Sequence, residues 1–220
     1  MYKASGALRA MHMDRYGLDD ARPFDLSDRQ AQRAANKCVA ALDLLPKAQA
    51  KIVAVTHLRQ GGGGPKDGAR ADVRVLDAGV VYGRTIDELP VIGPGGMAMV
   101  NVASDGQVVG ANRIWRGLGR SVANVKLRPA DWAIENFEVA VAKVRGDIKV
   151  LKSQLGYLEF GELDRQTVIE PVYAFIYVAL HGEVASKHVH VMHAGDKAHG
   201  RLLGARRFVA AKQPTRNQPR

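Results

Sequence analysis

Histidines crowd one short stretch of the chain. His188, His190 and His193 follow one another closely, with His181 and His199 on either side. His188 and His190 are two residues apart on a predicted strand, so their side chains share one face. Two imidazoles so placed could hold one metal ion if a third ligand joined them. Glu183 or Asp196 could supply it, and His188, His190 and Glu183 could equally serve as acid–base groups of an enzyme pocket over His181–His193. Spacing alone favours a plainer reading, in which Val189, Val191 and Met192 pack and the histidines face water or a groove. We therefore assign no cofactor.

Other patterns exclude chemistry. Gly61–Gly64, Pro65, Lys66 and Asp67 resemble a phosphate loop only in glycine content, because Asp67 stands where Ser or Thr is needed and a predicted strand follows. Gly93-Pro94-Gly95-Gly96 fails the dinucleotide spacing and reads as a turn. Cys38, the single cysteine, lies on an apolar helix stripe, which points to burial and rules out an internal disulfide. No Gly-x-Ser-x-Gly elbow is present. Asp19-Asp20, Asp87-Glu88 and the pair Glu159/Glu162 lie near turns or strand ends and read as solvated charges. Arg113, Trp115 and Arg116 share one predicted strand, and a cation–aromatic surface there could receive an anionic or peptide ligand. With Tyr157 and Tyr173 they are the candidate binding residues.

Two helices must position these groups. Ser27 and Gln30 fit a capping box, and Ala31, Ala34, Ala35, Cys38, Val39, Leu42 and Leu45 then form one stripe up to Pro46. A second stripe (Trp132, Ala133, Phe137, Ala140, Val141, Val144) runs from Pro129 to Arg145 and closes at Gly146. The remainder reads as strand and turn, with breaks at Ser153/Leu155 and at Ser104-Asp105-Gly106. The expected class is α+β: two repeated units, each one helix packed on an antiparallel sheet of about four strands. The expected domains are residues 1–120 and 121–196, followed by a basic tail at 197–220.

The 220 residues carry a formal net charge of +10, and +7 of it lies from Lys187 onward. A basic tail can attract nucleic acid or another anionic partner. No apolar run approaches the about 18–20 residues of a membrane span, and no signal peptide is visible at the start.

The run Tyr82-Gly83-Arg84 … Leu89-Pro90-Val91-Ile92-Gly93 … Asp105-Gly106-Gln107-Val108-Val109 resembles PepSY-type modules, found in protease propeptides and in extracytoplasmic regulators of two-component systems. Tyr157-Leu158-Glu159 … Glu170-Pro171-Val172-Tyr173 looks like the second copy of tandem members. The resemblance implies a cystatin-like fold and a binding or inhibitory role. It also implies an extracytoplasmic location if a signal peptide was removed; otherwise the cytoplasm is expected. The functional expectation is a non-catalytic binding or regulatory protein that engages a protein or peptide partner through a sheet face or edge. The alternatives are the metal-dependent enzyme and nucleic-acid association through the tail.

Overall fold

The computed structural model describes residues 5–15, 24–61, 73–200 and 202. The glycine loop beyond Gly61, the Asp19-Asp20 pair and nearly all of the basic tail lie outside the described residues. The chain divides into two units. Unit 1 takes the chain up to Arg120 together with Glu159–Gln166, and unit 2 takes Ser121–Leu158 and the chain from Thr167.

Unit 1 contains β1 (Leu8–Met11), α1 (Asp28–Ala41), β2 (Ala50–Gly61), β3 (Val73–Ile86), β4 (Leu89–Ile92), β5 (Met97–Val102) and β6 (Val108–Ile114). Its sheet runs β1-β6-β5-β3-β2, every pair antiparallel. Strand β4 folds back on the end of β3 through Asp87 and Glu88, both at positive φ, as a two-residue hairpin turn requires. Helix α1 starts at the capping box: Ser27 Oγ accepts from Gln30 N–H, and Ser27 N–H donates to Gln30 Oε1 at 2.9 Å. Ala31 and Ala35 are fully buried, so two small side chains let the helix lie close over Ala78, Val80, Val100 and Val102. Tyr82 ties sheet to helix by donating its hydroxyl to Asn36 Oδ1 at 2.8 Å. The helix stops at Ala41, short of Pro46, because Asp43 turns left-handed at φ 46° and drops Leu44 and Leu45 into the core.

Unit 2 contains α2 (Ala130–Val141), β7 (Asp147–Leu158), β8 (Pro171–His181) and β9 (Val184–His193), with an antiparallel sheet in the order β7-β8-β9. Gly182, at φ 58°, opens the two-residue turn between β8 and β9. Helix α2 presses Ala133 and Phe137 onto Phe175 and Tyr177. The Phe137 ring stacks on Phe175 at 4.4 Å and meets Tyr177 edge-on at 5.4 Å.

Two repeated helix-on-sheet units of about four strands, and with them the cystatin-like fold, are not what forms. Nine strands face only two helices among the described residues, and they are shared six to three. Two physical reasons account for this. Asp147–Leu158 is one strand: no Gly, Pro, Asn or Asp marks the Ser153/Leu155 break, and an irregularity between Val150 and Lys152 bends the ribbon without ending it. Leu89–Ile92 also makes a short strand of its own, paired with the end of β3. The coarser α+β content stands. No described helix is long and apolar enough to cross a membrane.

Candidate binding groove

Strand alternation gives the unit 1 sheet two unlike faces. Ala78, Val80 and Tyr82 of β3 and Ala98, Val100 and Val102 of β5 belong to the core with α1. Their neighbours Val81, Met97 and Met99 therefore look the other way, as do Asn112 and Ile114 of β6, across from Met99 and Met97. These five side chains line an open groove of about 270 Å³ that Pro94 also borders. At its rim, Arg9 Nη2 lies 2.8 Å from Glu162 Oε1. Met97 is 40% exposed. The groove can seat an apolar group on two adaptable thioether side chains, with a charge pair and an amide beside it.

Glu162 reaches the groove because the segment carrying it is pinned to unit 1. Glu159 is wholly buried and touches two cations, also buried. Its Oε2 accepts from Arg84 Nη1 at 2.9 Å, and its Oε1 accepts from the Arg116 backbone N–H at 2.9 Å. The Arg116 guanidinium donates to the carbonyls of Phe160, Gly161 and Asp164. Arg84 also donates to Gln49 Oε1 and to the Arg116 carbonyl, and it lies over the Trp115 ring at 5.3 Å. Buried charges need this density of partners. The solvated reading of Glu159 is therefore corrected: a carboxylate at a strand end carries no sequence mark of the two guanidiniums that arrive from far along the chain.

The remaining candidates are scattered. Trp115 and Arg116 sit in the interior of unit 1, not on its surface. Arg113 borders the groove, but its side chain, between those of Asn112 and Ile114, turns to the α1 face and donates to the Leu44 carbonyl. In unit 2, Tyr173 packs in the α2 core and donates its hydroxyl to the Arg128 carbonyl at 2.7 Å. Tyr157 is half-buried in β7. The one groove residue among the sequence candidates is thus Arg113. The overlooked signal was Met97–Val102 itself, whose run Met-Ala-Met-Val-Asn-Val places apolar residues on both faces of the strand.

The histidines do not face water together. His188 and His190 share the α2 side of β9, as the spacing requires, but they pack against aromatic rings there. His188 stacks on Tyr177 at 5.1 Å, with Nε2 2.7 Å from Ser186 Oγ, and His190 lies 5.9 Å from Phe137. Glu183 is exposed in the β8–β9 turn. His193 Nδ1 instead lies 3.3 Å from Glu170 Oε1, while Glu170 also accepts from the backbone N–H groups of His199 and Gly200. Among the described residues no three His, Cys, Asp or Glu side chains are grouped to hold a metal ion.

Burial lowers the pKa of His190 from its ordinary 6.5. Below that pH the unfolded chain binds the proton more readily than the folded one, so stability falls as pH drops through the ordinary histidine range. The urea midpoint of unit 2, read from Trp132 fluorescence in a Trp115→Phe background, should be lower at about pH 5.5 than at pH 7.5. His190→Gln should flatten that difference; an unchanged pH response in the variant would refute the assignment.

No family model matches the chain, and no curated protein does. Among solved structures it is similar to an uncharacterized protein from Eubacterium rectale, with 14% identity and a TM-score of 0.44, covering 87% of this chain. The chain spans 60% of that protein's length.

Proposed function

We propose that the protein is a non-catalytic binding protein whose unit 1 groove receives an apolar side chain from a protein or peptide partner. One observation carries this reading: the side of the sheet turned away from α1 offers an open, methionine-floored groove, whereas the buried charges of the unit are consumed in holding its own chain. At about 270 Å³ the groove falls just under the roughly 300–1,000 Å³ typical of sites that enclose a small molecule. That size suits one anchoring side chain at the centre of a wider contact. The Arg9–Glu162 pair adds rim polarity, which tunes partner choice more than affinity.

The test is to pan a displayed random-peptide library against the purified protein and to measure the best peptide by fluorescence anisotropy. Met97→Lys places a charge on the solvent-accessible floor of the groove and should weaken binding about tenfold or more. The circular dichroism spectrum and thermal midpoint should stay unchanged. Peptides that bind Met97→Lys and Met99→Lys as tightly as the parent would overturn the proposal, as would a panning that enriches nothing.

A further inference from the structure

We propose that the face of the unit 2 sheet opposite α2 docks an acidic amphipathic helix of a protein partner. This surface is separate from the unit 1 groove and does not depend on it. The register across the three strands defines it. Lys149 of β7, Val178 of β8 and Lys187 of β9 form one cross-strand row, and Lys152, Ile176 and Val189 form the next. Phe175 and Tyr177 point to α2, so Ile176, Val178 and Leu180 point away from it, and the three lysines lie on that same side.

The central strand of this face is thus aliphatic, and its two flanking strands carry cations. Leu180 is 40% exposed, Ile176 and Val178 are partly exposed, and all three lysines are exposed. None of the three lysines has a carboxylate partner among the described residues. Neither row carries an acid; Asp147 lies on the next row, at the margin opposite Leu180.

The complement of this pattern is an apolar stripe with acids along both sides. Outer strands two ladder spacings apart stand roughly 10 Å from each other, close to the about 10–12 Å width of a helix with its side chains. A helix lying along β8 would set its stripe on Ile176, Val178 and Leu180. Glutamates on one flank would meet Lys149 and Lys152, and those on the other would meet Lys187. Charge arranged in this way sets orientation and speeds encounter. The aliphatic centre offers no aromatic platform for bases, which sets a single-stranded nucleic acid aside.

A charge swap tests the proposal with the full-length protein. The probes are two labelled helical peptides of about 18 residues with the same leucine stripe, one flanked by glutamates and the other by lysines. The parent should bind the glutamate peptide at least about tenfold more tightly than the lysine peptide, and the gap should narrow with added salt. The triple variant K149E/K152E/K187E should invert the preference. Its substitutions are exposed, and an unchanged circular dichroism melt would confirm that it is folded. Equal binding of the glutamate peptide by parent and folded variant would overturn the proposal. Lysine-dependent binding of phosphatidylserine vesicles or of an RNA oligonucleotide, without binding of the glutamate peptide, would overturn it as well.

Discussion

Replacing Glu159 by alanine is expected to lower the stability of unit 1 by about 3–5 kcal/mol. The carboxylate is wholly buried between Arg84 and Arg116, whose side chains are 1% and 6% exposed. Its removal strands positive charge in the interior and also leaves the Arg116 backbone N–H without its acceptor. Glu159→Gln should cost less, because an amide oxygen still accepts that hydrogen bond. Exchanging the whole ionic group for aliphatic residues, a route that is often neutral elsewhere, should fail here. Arg116 also holds the carbonyls of Phe160, Gly161 and Asp164, which would then be orphaned. The chain has two tryptophans, Trp115 in unit 1 and Trp132 in unit 2. Thermal melts followed by Trp115 fluorescence in a Trp132→Phe background therefore read unit 1 directly. The expected fall is on the order of 10 °C for the alanine variant. A fall of a degree or two would mean that the ionic cluster contributes little.

Phe137→Ala should be the corresponding lesion of unit 2, again at about 3–5 kcal/mol. Four buried residues form that core, and Phe137 touches two of the other three, stacking on Phe175 and meeting Tyr177 edge-on. The void cannot close from the sheet side, because Phe175 and Tyr177 are fixed by the β7 and β9 ladders. Typical domains have only about 5–15 kcal/mol in hand, so a loss of this size consumes much of what a three-stranded unit can hold. Phe137→Leu, which keeps most of the volume, should cost under about 1.5 kcal/mol. Amide hydrogen exchange localises the effect: protection in β7, β8 and β9 should collapse in the alanine variant, while β3 and β5 keep theirs. Equal loss in both sets of strands would show that the residue supports more than its own unit.

Local signals were legible before the fold was known. Ser27 and Gln30 announced α1 through a hydrogen-bond pattern that needs only four residues, and Asp105-Gly106 marked the β5–β6 turn, where Gly106 takes φ 79°. Signals that depend on distant neighbours were not legible. Asp43 ends α1 early because Leu44 and Leu45 gain more from the core than from another turn of helix. The strand break expected at Ser153/Leu155 fails because β7 runs on to Leu158, bending at Val150/Lys152 without ending. Of the residues bordering the groove, Arg113 stands out in the sequence by its charge, whereas Met97 and Met99 carry no ionisable group and read as ordinary strand residues. His188 and His190 were placed on one face correctly, but which face would be covered depended on α2, far away in sequence.

The loan of Glu159–Gln166 to unit 1 has a consequence for synthesis. The ribosome delivers the chain from its amino end, and Glu159 follows Arg116 by 43 residues. A nascent unit 1 with all its strands complete would still lack the counterion that Arg84 and Arg116 enclose, so those guanidiniums must stay hydrated while α2 and β7 are translated. Maturation of the first-made half thus waits on a codon within the second.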